Sequence, residues 1–263
     1  MHIVVCAKQV PDTGRVEINE ETGSLIRDDV RGVMNPDDAH AVEMALSIKD
    51  AQPDAHVTIV TMGPEKAYDL LFEGIAMGAD DGILLQDERL AGSDTWGTAY
   101  ALSCIIKKIG DVDLVLTGRE TADGVTAQVG PEMAEHLGLP QATCVDQFKS
   151  LEDGKVLQVY HKTNIGHDLM EISMPCLLTV TAEMNKPRYM SMAGIFSKKK
   201  DVTIWTAEDA GIDLSKVGHE GAMIKVIETF VPKRERHGEE ITARDKEGAV
   251  SYLLTELKRL RAI

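Results

Sequence analysis

"DLVLTGRETADGVTAQVGPEMAEHLG", residues 113–138, carries the pattern that decides the fold. An uninterrupted apolar run, Leu114–Leu116, yields at Thr117 to a polar loop punctuated by Gly118, Gly124 and Gly130, and a helical pattern follows over 131–138. Apolar residues that do not alternate with polar ones mark a strand buried on both faces, as in a parallel sheet covered by helices. The loop holds no serine, cysteine or histidine placed to attack a bond.

Three more such units precede it. "HIVVCAK" (2–8), "HVTIVTMG" (56–63) and "GILLQD" (82–87) read as buried strands. Helices are predicted over 36–50, from about Pro64 to Met77, and from Ser93 and Asp94 to Ile109. The first has Asn35 as its expected cap and Pro36 at its first position. Strand and helix in alternation predict an α/β fold: a mostly parallel, doubly wound sheet with helices on both faces and right-handed crossovers. Ligands of such sheets bind outside the carboxyl ends of the strands, which here follow Ala7, Met62, Leu85 and Thr117.

After Leu139 the rhythm changes. "KVLQVYHKT" (155–163) alternates as a half-exposed antiparallel strand does, and "PCLLTVTAEM" (175–184) reads as another buried strand. The segment 185–200, "NKPRYMSMAGIFSKKK", has no clean period. The expected division is an α/β domain over 1–217, including that loop, and a C-terminal arm and helix over 218–263. The helix, about 244–261, carries Val250, Leu253, Leu254, Leu257 and Leu260 as an apolar stripe that needs a partner surface.

Composition narrows the function. The formal net charge of −15 argues against nucleic acid, whose phosphates need clustered cations, and against docking on an anionic membrane. The four cysteines are widely spaced with no CxxC pair, and the eight histidines show no metal-ligand spacing. Free thiols and no metal are the expectation. The start "MHIVVCAKQVPD" lacks the basic region of a signal peptide, and no apolar run is long enough to insert in a bilayer. A cytoplasmic protein is expected.

The first strand-to-helix turn lacks the GxGxxG of dinucleotide folds, and no P-loop is present. What remains is a distributed set of loops at one rim. The first is Ala7–Thr13, with Pro11, Asp12 and Thr13; the second is Met34–Asp38, with Asn35 and Pro36. Thr61, Met62 and Gly63 form the third. The fourth holds Gly118, Arg119, Asp123, Gly124, Val125, Thr126, Ala127, Gln128 and Val129. Any one of them is an ordinary turn. Together they supply glycines for close approach, small hydroxyls and helix N-termini for a pyrophosphate. The helix start at Thr126–Val129 is the expected dipole contact, and Asp123 either caps it or holds a ribose hydroxyl. The set points to a nucleotide without saying which.

Segments along essentially the whole chain resemble the beta subunit of electron-transfer flavoproteins: "VVCAKQVPDT" (4–13), "GVMNPDDAHAVEMAL" (32–46), "VTIVTMGP" (57–64), "AMGAD" (76–80), 113–141 and "KPRYMSM" (186–192). The resemblance implies a heterodimer with an alpha subunit that carries a mobile flavin domain. The beta subunit holds either a structural AMP or a second FAD, around Ala7, Asn35, Pro36, Met62 and 118–129. Val10–Thr13, Asp123-Gly124 and Thr126–Pro131 resemble the bifurcating, FAD-binding branch. Val125 departs from it, because those relatives often carry an acid there. In that branch the beta-subunit FAD takes a hydride from NADH. One electron passes through the alpha-subunit FAD to an acyl-CoA dehydrogenase or enoyl-CoA reductase, and the other to ferredoxin or flavodoxin.

The resemblance therefore assigns no catalytic side chain, since the flavin carries the chemistry. Arg119 either stabilises reduced flavin or pairs on the surface with Glu120 or Asp123. The loop 185–200 resembles the family's recognition loop for the dehydrogenase. Met192 stands at its anchor position, with Tyr189, Met190 and Ile195 around it. The arm packs on the alpha subunit. Two other readings stay open: the same fold holding AMP as a passive docking scaffold, and a nucleotide-binding regulatory protein.

Overall fold

Strand β1 (His2–Cys6) shows why the molecule is layered. Ile3 and Val5 point into one apolar layer and Val4 and Cys6 into another, the period of two expected of a strand covered on both sides. The structure, a computed structural model, describes residues 1–12, 32–197, 201–225, 227 and 246–263. After β1, β2 (Gln9–Pro11) pairs antiparallel with β3 (Gly32–Met34) as a separate two-stranded ribbon. Then come α1 (Pro36–Ala51), β4 (His56–Met62), α2 (Tyr68–Met77), β5 (Asp81–Leu85), α3 (Thr95–Ile109), β6 (Leu114–Gly118) and α4 (Val129–Leu137). Four strands follow: β7 (Gln141–Glu152), β8 (Val156–Thr163), β9 (Gly166–Ser173) and β10 (Cys176–Val180). A short α5 (Met192–Phe196), β11 (Val202–Trp205) and α6 (Gly218–Gly221) complete the larger unit, Met1–Ile227.

The nine-stranded sheet has the order β11-β5-β4-β1-β6-β10-β7-β8-β9. Every pair from β11 to β7 is parallel, and β8 and β9 add an antiparallel meander. The doubly wound α/β expectation is met. Helices α1 and α2 cover one face, with Leu46, Leu70 and Leu71 buried in its core, and α3 and α4 cover the other through Ile105 and Met133. The chain winds outward from β1 through β4 to β5, then returns to β6 on the other side of β1. The strand order thus reverses between β1 and β6, the place where sheets of this kind bind ligands.

Some elements differ from the expectation. The predicted strand 175–184 shortens to β10, and it inserts between β6 and β7. β7, β9 and β11 carry no continuous apolar run and were not anticipated. The helix expected from Pro64 opens with a 3-10 turn, Glu65–Ala67. α4 starts at Val129, which leaves Thr126–Gln128 in the loop. Past residue 217 the chain is tied back to the start of α3. Ser93 Oγ accepts from Gly218 N at 2.7 Å, and Asp94 Oδ2 accepts from Met223 N and Ile224 N at 2.8 and 3.0 Å.

The second unit, Glu228–Ile263, contains α7 (Lys246–Arg259), on which Val250, Leu253 and Leu254 are exposed. Among the described residues no helix is long and apolar enough to cross a membrane, and no group of acids, histidines or cysteines is placed to hold a metal ion. All four cysteines are free.

Candidate functional site

Asn35 occupies the N-cap position of α1, but its side chain does not cap the helix. Nδ2 donates to Glu120 O at 2.9 Å and Oδ1 accepts from Ala122 N at 3.0 Å, so the residue binds the loop after β6 to α1. Three residues on, Asp38 is buried at 4% exposure. Its Oδ2 accepts from Lys8 N at 2.7 Å and its Oδ1 from Gly118 N at 2.9 Å. Lys8 in turn holds Asp123 through its ammonium at 2.8 Å. The loop after β1 and the loop after β6 are thereby fastened to one helix end and to each other.

Burial sets the electrostatics here. It pushes the Asp38 carboxyl up to about 7, against the hydrogen bonds from Lys8, Asn35 and Gly118. Burial, then the charge of Asp38, pushes the Cys6 thiol up to about 12. Asp123 is also raised by burial, but the bonds from Lys8 and Thr121 outweigh that and hold it below the usual carboxylate range.

The loop backbone comes very close to α1. A Cβ at Gly118 would lie 2.3 Å from Asp38 Oδ1 and 2.9 Å from the Asp37 carbonyl carbon, so only glycine fits. Beyond it the residues 122–128 are exposed. Val125 and Ala127 take φ values of 50° and 53°, the left-handed region that a β-branched residue avoids. Such strain costs on the order of 1–3 kcal/mol per residue and persists where the surroundings impose it, often at ligand sites. The turn is closed by Val125 N donating to Thr121 O at 2.9 Å.

Asp123, spent on Lys8, does not cap α4, nor does any other side chain among the described residues. Among the described residues the first-turn N–H groups of α4, those of Val129 and Gly130 since Pro131 has none, are left without a side-chain acceptor, an arrangement suited to an anion. Near the end of β4, Thr61 Oγ1 is fully buried without a hydrogen-bond partner among the described residues. An uncapped helix start, an orphan hydroxyl and a glycine-lined approach fit a nucleotide phosphate and its sugar.

Of the remaining predicted positions, Ala7 is buried at the end of β1, with its N–H on Val60 O at 2.9 Å. Pro36 is exposed on the first turn of α1, and Met62, the last residue of β4, and Gly63 after it are half-buried. Gly124, Thr126 and Gln128 are exposed and Val129 half-buried. Pro11 ends β2 on the β2–β3 ribbon rather than on the main sheet, Asp12 follows it, and Thr13 lies outside the described residues. Arg119 is exposed and its guanidinium pairs with Glu120, while its N–H donates to Val180 O at 2.8 Å. Asp38 and Lys8 were not singled out from sequence. An acid in a first helical turn looks like ordinary dipole compensation, and nothing marked Lys8.

A second surface is built from 185–197. Arg188 meets Glu43 through Nε to Oε2 at 2.8 Å and Nη2 to Oε1 at 2.9 Å, and reaches Asp50 at 2.7 Å. Asn185 exchanges bonds with His40, each 3.0 Å. Ser191 N donates to Ala76 O at 3.0 Å, while its Oγ caps α5 through Gly194 N at 2.9 Å. The polar residues thus face inward onto α1 and α2. Tyr189, Met190, Met192 and Phe196 are left exposed, and Ile195 is half-buried. Phe196 joins the predicted apolar set; Lys198–Lys200 lie outside the described residues.

A doubly wound sheet with its loops gathered at the strand-order reversal defines an open α/β protein of the nucleotide-fold class. The chain belongs to the electron transfer flavoprotein family, as a beta subunit. Residues 22–210 match the family profile described as "Electron transfer flavoprotein domain". The chain is 43% identical over 264 residues to the "Caffeyl-CoA reductase-Etf complex subunit CarD" of Acetobacterium woodii, covering 100% of both. It is 44% identical over 259 residues to the "Electron transfer flavoprotein subunit beta" of Clostridium acetobutylicum, covering 98% of both. With the "Acryloyl-CoA reductase electron transfer subunit gamma" of Anaerotignum propionicum the identity is 39% over 256 residues, 94% of both.

Proposed function

We propose that this beta subunit binds FAD at the β1–β6 crevice. In the heterodimer with its alpha subunit it splits the electrons of NADH between an acyl-CoA dehydrogenase or enoyl-CoA reductase and a ferredoxin or flavodoxin. The observation that carries the reading is the loop after β6. It is anchored through Gly118, Glu120 and Ala122, yet beyond them it presents an exposed stretch without an aromatic ring, in which Gly124, Thr126 and Ala127 are small, and then the uncapped start of α4. Bulk is withheld where a ring system larger than adenine must fit. Two relatives whose names place them with acyl-CoA-type reductases support the choice of partner.

The flavin, when bound, supplies hydride acceptance and one-electron transfer. The chain's own residues bind and orient it. The α4 amides and Thr61 meet the phosphates and sugar, Gly118 lets the backbone approach, and Asn35 with Asp38 fixes the loops around it. No side chain here is assigned proton transfer. The clamped segment 185–197 presents Tyr189, Met190, Met192 and Phe196 to the dehydrogenase, and the exposed stripe of α7 packs on the alpha subunit.

Purifying the heterodimer and quantifying released nucleotides tests this. Two FAD per heterodimer, with NADH-driven ferredoxin reduction that requires an enoyl-CoA acceptor, is the expected result. One FAD with one AMP overturns electron splitting and leaves a docking scaffold.

A further inference from the structure

A crevice at a strand-order reversal has two independent banks, here the chain leaving β1 and the chain leaving β6. Their spacing is not set by the β1–β6 ladder, whose registered pairs end at Cys6 and Thr117. Asp38 bonds both banks beyond that point, at Lys8 N and Gly118 N. We propose that Asp38 is the positioning residue of this crevice, holding the two loops at the spacing a bound nucleotide needs; the proposal rests on the nucleotide reading above.

The chemistry favours this role over simple packing. A carboxylate has acceptors on both oxygens and no proton, so it serves two backbone N–H groups at once. A protonated acid, or an asparagine, presents a donor to one of them and loses that tie. The charged groups around Asp38 do not neutralise it directly. On its own helix, Asp37 adds a second negative charge. From the β1 side, Lys8 spends its ammonium on Asp123, and Cys6 remains a thiol. From the β6 side, Arg119 pairs with Glu120 and acts on Asp37.

With the carboxyl raised to about 7 by burial, the tie changes state close to neutrality. Nucleotide affinity falls as pH drops through about 7. The fold responds in the opposite sense. A carboxyl raised above its unfolded value takes up its proton in the folded state first, so acidification from 7 toward 4 favours folding through this group. A merely structural acid would move stability and leave affinity flat.

The experiment uses the heterodimer with the alpha-subunit FAD retained and the nucleotide of this chain removed, titrated with FAD and separately with AMP between pH 8 and pH 6, with a thermal melt at each pH. Wild type is expected to weaken about tenfold over that range, the effect of one buried hydrogen bond lost on protonation. Asp38→Asn is expected to bind about tenfold more weakly at pH 8 and to show no pH slope. If Asp38→Asn matches the wild-type affinity and slope for a nucleotide that binds, the positioning role is overturned and the nucleotide site stands. Should neither nucleotide bind wild type, the nucleotide reading fails and takes this proposal with it. If the variant does not assemble, the wild-type profile decides alone: a flat profile overturns the proposal.

Discussion

Removing the Arg188 guanidinium tests whether the segment 185–197 is held by α1. Two of its bonds go to Glu43, whose side chain is 10% exposed, and one to Asp50, which is 65% exposed. The exposed arm is worth well under about 1 kcal/mol. The Glu43 arm matters more, because truncation leaves a poorly hydrated carboxylate with only Ser47 Oγ at 3.2 Å and the residue-188 N–H at 3.0 Å. Breaking a fully buried pair costs about 3–5 kcal/mol. With Arg188 32% exposed, water partly replaces it, and about 2 kcal/mol is the expected loss for Arg188→Ala. For a unit of this size that lowers Tm by about 4–8 °C. Burial raises the Glu43 carboxyl, but the bonds and charge of Arg188 outweigh it and hold it below its ordinary value. The pair therefore stabilises above the ordinary carboxylate pKa and is lost as pH falls through the lowered one. Calorimetry at pH 7 and at pH 4 is the assay: the gap between wild type and variant should narrow at pH 4. A Tm change under about 1 °C at pH 7, or a gap that widens on acidification, would refute the clamp.

Three further outcomes follow from the geometry. Met192→Ala, at a position 69% exposed, should leave Tm and nucleotide content unchanged but raise the KM for the dehydrogenase about tenfold or more, as loss of an apolar anchor does; unchanged KM removes Met192 from docking. Asp94→Ala removes the cap of α3 (Gly97 N at 2.9 Å) and both bonds to Met223 and Ile224. It should cost about 1–2 kcal/mol and speed tryptic cleavage after Lys225, whereas wild-type digestion rates would contradict the tie. In native protein, Cys6 and Cys176, with thiols pushed up to about 12 by burial, should resist alkylation, and Cys104 and Cys144, both half-buried, should react first. Mass-spectrometric mapping of the labelled sites reads this directly.

Four strands of the parallel sheet were legible because each of β1, β4, β5 and β6 is a run of apolar residues, with a helix and its own start signal later in the chain. Asp94 caps α3 as its sequence position suggested. β7, β9 and β11 were not legible, because their polar residues are made strand-like by neighbours supplied elsewhere in the chain. Asn35 shows the limit most clearly. Its position before Pro36 predicts a cap, yet its amide is taken by backbone groups 85 and 87 residues away. The rim that holds the candidate site follows from the strand-end rule alone. The bonds that shape it, from Asp38 and Lys8, join residues 30 to 115 apart, and no local pattern announces them.

The place of β10 has a consequence for biosynthesis. Cys176–Val180 fills the gap between β6 and β7, although the ribosome makes it after both of them. Until it emerges, a nascent chain displays the flank of β6 as a bare edge, and such edges invite pairing with other chains. Val180 O is also the acceptor for Arg119 N at the root of the loop after β6. The loop that defines the crevice thus gains one of its anchors only when translation has passed residue 180, and chaperone protection during that interval should govern the yield of assembled protein.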